Sequence, residues 1–289
     1  TCELMDAAAP ALRYVAEIEF MNPRDGWCFF RLSGNANITL DDDEQPLAVS
    51  KSNEKAVEVM RHLPAGRHLL RTAGTPQALV VRAIPELLYH EFPQKVDGYF
   101  KEHVIDNVNS FVISSDRLDS PDFLKWQPSG RRWYAAWPVL RVIQNENIQD
   151  YADAYKHIAV TPGYTNPLTH GLMADEFMNS EPNCAIFAAA VRKLNATPAF
   201  ASRAFGAYVN QLYGGPEGQE FVQALSDTDA VLAWKRYLPT HDDEQAAREF
   251  LHDELVEHAE NYRELCPGSL EHIAVCFGYF TLAGGHLLN

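Results

Sequence analysis

The chain has 289 residues, 46% of them hydrophobic and 22% charged, which excludes a disordered chain, a coiled coil and a collagen-like repeat. Lys and Arg number 24 against 39 Asp and Glu, a formal charge of −15, and no segment gathers a dense basic cluster, so nucleic acid is not an expected partner. No apolar run reaches the ~18–20 residues that span a bilayer, so no transmembrane helix is expected.

The five cysteines, Cys2, Cys28, Cys184, Cys266 and Cys276, are scattered and show neither C-x-x-C nor zinc spacing. That predicts free thiols, buried ones where Cys28 and Cys276 fall in strand-like runs. Residues 1–10 lack a positive region followed by an apolar one. The compartment stays open, a secreted or cell-envelope setting being the preferred expectation, and the sequence carries no signal for oligomeric state.

Taken in chain order, the first part reads as short strands broken by turns. Tyr14 to Phe20 alternates apolar and polar residues as a half-buried strand does. Asn22 to Gly26 is turn chemistry, and Trp27 to Leu32 and Asn37 to Leu40 are further strands, the latter ended by the acidic tip Asp41 to Glu44. Val57 to Met60 and His68 to Thr72 flank the turn Leu63-Pro64-Ala65-Gly66. This pattern predicts a small antiparallel β-sandwich over residues 1–77. Its hairpin Leu-Pro-Ala-Gly-Arg-His-Leu-Leu-Arg resembles those of small bacterial surface-associated β domains, including the PEGA type.

From Ala78 onward strands alternate with helices. Strands are expected at Leu79 to Leu88, Phe111 to Ser114, Arg132 to Trp137, Gly171 to Ala174, Phe205 to Val209, Val231 to Trp234 and Ile273 to Tyr279. Helices are expected at Lys101 to Asn109, Ile148 to His157, Cys184 to Leu194, Glu217 to Leu225 and Asp242 to Leu265. Such alternation implies a parallel sheet with right-handed crossovers. Neither G-x-G-x-x-G nor G-x-x-x-x-G-K-[ST] follows a strand, which removes the best support for a nucleotide-binding fold. Seven strands point to a (β/α)8 TIM-type barrel over residues 78–289, one strand short and so possibly incomplete.

In a barrel, chemistry collects at the C-terminal strand ends. Acidic and aromatic side chains are expected together there, Glu86, Asp116, Trp137, Asp175, Glu176, Tyr208, Trp234 and Tyr279, with Asn210 and Lys235 beside them. Sugar rings stack on aromatic faces and hydrogen-bond to carboxylates and amides, and glycoside hydrolysis uses two carboxyl groups. The segment Thr169-His170-Gly171-Leu172-Met173-Ala174-Asp175-Glu176-Phe177 resembles the fourth-strand end of (β/α)8 glycoside hydrolases, where an apolar strand delivers a Glu acid/base. The resemblance implies that Glu176 is the acid/base and that Asp175, Glu86 or Asp116 supplies the second carboxylate. Two features depart from the largest retaining clan: Asp175 stands where that clan has Asn, and Tyr279-Phe280-Thr281 offers no Glu nucleophile.

Trp137, Tyr208, Asn210, Trp234, Lys235 and Tyr279 are the candidate sugar contacts, and a carbohydrate is the expected ligand. No cofactor or metal is expected: H-E-x-x-H is absent, and His252 and His258 stand six residues apart. Two other readings stay open, a non-catalytic carbohydrate-binding protein on a barrel scaffold and a structural or assembly module.

Overall fold

The computed structural model describes residues 2–8, 17–53, 55–90, 104, 107–114, 130–146, 148–177, 181–210, 215–228, 230–237, 241, 243–278, 280–281 and 287–288. The chain divides into two compact units, residues 1–111 with 119–132, and residues 112–118 with 133–289.

The first unit is built on two long strands. β3 (Gly26–Leu40) and β6 (Gly66–Ile84) pair antiparallel along most of their length. One half of β6 takes β1 (Cys2–Ala8) and the other takes β2 (Glu17–Asn22), while β3 takes β5 (Val57–Leu63) and β4 (Ala48–Ser50). The antiparallel character follows the sequence reading, but the strands form one six-stranded sheet whose central pair serves both halves. Trp27 to Leu32 and Asn37 to Leu40 are therefore parts of one strand. From Cys28 to Ile38 every second residue of β3 is buried, and Cys28, Phe30, Leu32 and Ile38 join Phe20, Leu70, Leu79 and Val81 in one core. Burial raises the Cys28 thiol to about 11.

The central pair is interrupted at a bulge where Ser33 pairs with Ala78 but Gly34 with Pro76. Gly34 has φ +102, and a Cβ there would lie 2.6 Å from both the Gln77 nitrogen and the Thr75 oxygen. Pro76, which cannot donate to a ladder, is accommodated at the same bulge. Gly34→Ala should therefore cost at least ~1–3 kcal/mol, read as a lower urea midpoint; an unchanged midpoint would mean the bulge relaxes freely.

His68 supplies a second test. Its Nε2 lies 3.0 Å from the Pro64 carbonyl and its Nδ1 2.8 Å from Asp41 Oδ2. Both ring nitrogens face acceptors, an arrangement that favours the imidazolium, which alone carries two N–H donors. Burial, the largest influence, pushes its pKa down. The Asp41 hydrogen bond, the Pro64 carbonyl and the Asp41 charge outweigh burial, so the net shift is upward from 6.5. This stabilisation is complete below the unfolded value and is lost as pH rises through the higher folded one. Urea midpoints should fall as pH is raised above 6.5, and His68→Gln should flatten that dependence. Equal slopes for the two proteins would contradict the assignment.

The second sheet is a curled half-barrel of seven strands in the order β13-β12-β11-β10-β9-β8-β7. These are β7 (Leu88–His90), β8 (Ser110–Ile113), β9 (Arg132–Trp137), β10 (Gly171–Ala174), β11 (Ala204–Val209), β12 (Leu232–Tyr237) and β13 (Ile273–Gly278). From β9 to β13 every pairing is parallel. Among the described residues the sheet is an open half-barrel, without closure into a (β/α)8 barrel. Of Leu79 to Leu88, expected as the first barrel strand, Leu79 to Ile84 is the end of β6, whose 19 residues run unbroken through position 77. Past β13 the described strands are only the short antiparallel pair β14 (Phe280–Thr281) and β15 (Leu287–Leu288).

The connecting helices are α1 (Val139–Asn145), α2 (Tyr151–Ala159), α3 (Pro162–Thr165), α4 (Glu181–Asn195), α5 (Pro216–Ser226), α6 (Glu244–Leu251) and α7 (His258–Leu265). Asp150 caps α2 by accepting from the Ala152 and Asp153 amides, and Asp243 caps α6 through the Ala246 amide. The long helix expected over 242–265 is continuous but passes through a π-helical turn, His252–Glu257, between α6 and α7. The helix expected at Lys101 to Asn109 lies largely outside the described residues. No described helix is long and apolar enough to cross a membrane.

Candidate functional site

Strand alternation decides which side chains can meet. Leu172, Ala174, Phe205, Ala207, Val209, Leu232 and Trp234 share one core with Phe187, Val191 and Leu194 of α4, Phe221 of α5 and Tyr262 of α7. These positions face the helices. Their neighbours Met173, Gly206, Tyr208, Ala233 and Lys235 consequently face the opposite side of the sheet. A Cβ on Gly206 would lie 2.6 Å from Met173 Cε, so that side is packed tightly beneath the strand ends.

β10 ends in a turn pinned from both flanks. The Asp175 amide donates to the Trp137 carbonyl of β9 at 2.8 Å, and the Phe177 amide donates to the Tyr208 carbonyl of β11 at 3.1 Å. Phe177 is buried, stacked on Phe221 at 4.6 Å and edge-on to Phe187 at 5.1 Å. Between these anchors Glu176 is exposed and takes φ 55, a left-handed conformation that a non-glycine residue adopts at a cost. Its amide donates to Asp175 Oδ1 at 3.0 Å.

Lys235 brings its ammonium to the same place, 3.4 Å from Asp175 Oδ1 and 5.5 Å from the centre of the Tyr208 ring. Cys276 is the cross-strand partner of Lys235 and so faces the same side. Burial raises its thiol pKa; the Lys235 charge opposes this and the Asp175 charge reinforces it. The structure thus gathers Asp175, Glu176, Tyr208, Lys235 and Cys276 at the C-terminal ends of β10 to β13. Cys276 was not among the sequence candidates, although its place in β13 beside Lys235 follows once the two strands are paired. Asn210 is exposed just after β11.

The other candidates sit elsewhere. Trp137 is buried against Phe187 and Phe205, and Trp234 is 1% exposed beneath the Arg236 guanidinium. Both indoles fill the helix-facing core and present no open face. Arg236 pairs with Glu254 at 3.3 Å on that same side. Glu86 belongs to the first unit, where Ser110 Oγ donates to its Oε1 and Arg132 Nη1 lies 4.0 Å from its Oε2. Ser110 and Arg132 are the first residues of β8 and β9, whereas Asp175 and Glu176 follow the last residue of β10. Asp116 and Tyr279 lie outside the described residues. Among the described residues, His252, Asp253 and Glu257 bring potential metal-ligand atoms within 4.8 Å of one another on the π-helical turn, all three exposed.

No family model and no curated protein matches the chain. Among solved structures it is similar to an endo-beta-N-acetylglucosaminidase from Cordyceps militaris, with a TM-score of 0.43 and 10% identity, over 60% of this chain and 58% of that one. It is also similar to a GH2 beta-galacturonidase from Eisenbergiella tayi bound to galacturonate, with a TM-score of 0.42 and 11% identity, over 94% of this chain and 55% of that one. The chain thus spans less than two thirds of either enzyme. The likeness is a weak resemblance to glycoside hydrolase folds.

Proposed function

We propose that the second unit is a glycoside hydrolase module that binds a carbohydrate at the C-terminal ends of β10 to β13 and cleaves a glycosidic bond there. The observation that carries this reading is the pinned turn after β10. It holds a strained, solvent-facing Glu176 beside a carboxylate that is already paired with an ammonium. An open carboxyl on a rigid strand end suits a general acid/base, because proton transfer needs a fixed donor position. Asp175, 3.4 Å from Lys235, suits a group that orients the sugar and offsets positive charge on an oxocarbenium-like transition state. Asp116, three residues beyond β8 in sequence, is our candidate for the second catalytic carboxylate. Glu86, which accepts from Ser110 Oγ and lies 4.0 Å from Arg132 Nη1, is the alternative candidate for that role.

A second reading is supported by Lys235 itself: an ion pair over a tyrosine ring can grip a sugar without chemistry, so the protein would be a lectin-like binder. Incubating the wild type with a panel of oligosaccharides and aryl glycosides, with product release and binding measured in parallel, separates the two. Release that depends on Glu176 supports hydrolysis. Binding with no release from any bound glycan supports the second reading.

A further inference from the structure

We infer that Asp175 and Lys235 together form a clamp for two adjacent hydroxyls of one sugar ring, so that the ligand class is a hexopyranoside with an unsubstituted vicinal diol; this rests on the carbohydrate reading above. An ammonium has three N–H donors. One points to Asp175 Oδ1, and the other two have no hydrogen-bond partner among the described residues. Asp175 Oδ1 also receives the Glu176 amide, which leaves Oδ2 with no donor among the described residues. Among the described residues, two N–H donors and one carboxylate oxygen without partners therefore stand side by side, on groups whose charges hold each other in place.

A hydroxyl both donates and accepts. Of two neighbouring ring hydroxyls, one donates to Asp175 Oδ2 while accepting one Lys235 N–H, and the other accepts the second N–H. Lys235 is only 12% exposed and Asp175 is 42% exposed, so a ligand arrives from the carboxylate side and meets the ammonium in a sheltered position. Tyr208, 2% exposed, holds its ring centre 5.5 Å from the ammonium and backs it against the sheet. Charged partners make such hydrogen bonds shorter and stronger than neutral ones. A uronate or phosphate in this position would meet Lys235 but be repelled by Asp175 and Glu176. An acetamido group in place of either hydroxyl would lose one partner of the clamp.

Saturation-transfer NMR and calorimetry should be run on the wild type with methyl glucoside, galactoside and mannoside and their singly deoxygenated analogues. Removing either clamped hydroxyl should weaken binding roughly 10- to 100-fold, while removing a hydroxyl elsewhere on the ring should change it little. In Lys235→Met the penalty for losing a clamped hydroxyl should shrink towards onefold, and Lys235→Arg should restore part of it. A circular-dichroism melt reports whether each variant is folded; if Lys235→Met is not, the wild-type deoxy series and Asp175→Asn decide the matter. Sugar binding or cleavage with a deoxy penalty unaltered in Lys235→Met would overturn the clamp and leave the carbohydrate reading standing. Failure of every glycoside and oligosaccharide to bind would overturn both.

Discussion

Glu176→Gln is expected to lower turnover of a susceptible glycoside by about 10²–10⁴-fold while leaving the fold and sugar binding in place. Gln keeps the size of Glu and one acceptor oxygen but cannot carry the proton to the leaving oxygen. The fold should not feel the change, because Glu176 is exposed and the contacts that pin its turn are the Asp175 and Phe177 amides and the Phe177 ring. Initial rates on the best glycoside from a panel, with affinity measured calorimetrically for both proteins, test this directly. A fall in kcat with an unchanged Kd is the expected pattern. An unaltered rate would remove Glu176 from the mechanism, and a cooperative melt lost along with the activity would assign it a structural role instead.

Phe187→Ala should be the most destabilising single substitution in the second unit, by about 3–5 kcal/mol. Phe187 is fully buried and lies at the centre of an aromatic cluster, with ring centroids 5.1 Å from Phe177, 6.1 Å from Phe205 and 6.2 Å from Trp137. Truncation leaves a cavity that α4 cannot close without moving along the sheet, and it frees the ring that anchors the Glu176 turn. Urea unfolding should show the loss in stability, and sugar affinity should fall further than in Glu176→Gln. A change below about 1 kcal/mol would mean that the cluster repacks around the gap.

The parallel strands were legible because each is a short apolar run between turn or cap signals. Arg132 to Trp137 and Gly171 to Ala174 were placed to the residue. What misled was the run after Ala78. A central antiparallel strand and a buried parallel strand read alike in one sequence, and only pairing partners distinguish them. Those partners, residues 2–8 of β1, lie far away in the chain.

Two of the six candidate contacts, Trp137 and Trp234, lie in the helix-facing core for a related reason. Trp234 and Lys235 are neighbours in one strand, so they point to opposite faces, and the apolar one turned to the helices. Nothing local distinguished Trp137 from a sugar platform either; its burial depends on Phe187 and Phe205, which other elements deliver. The left-handed turn at Glu176 is set by hydrogen bonds to β9 and β11 and leaves no mark in the Asp-Glu-Phe sequence itself.

The central claim is that a carbohydrate binds where β10 to β13 end, and a crystal structure of Glu176→Gln soaked with an oligosaccharide tests it most directly. The expected result is a sugar ring with hydroxyls within hydrogen-bond distance of Asp175 Oδ2 and Lys235 Nζ and its glycosidic oxygen beside residue 176. Sugar found only on the first unit, around Glu86 or elsewhere, would contradict the claim.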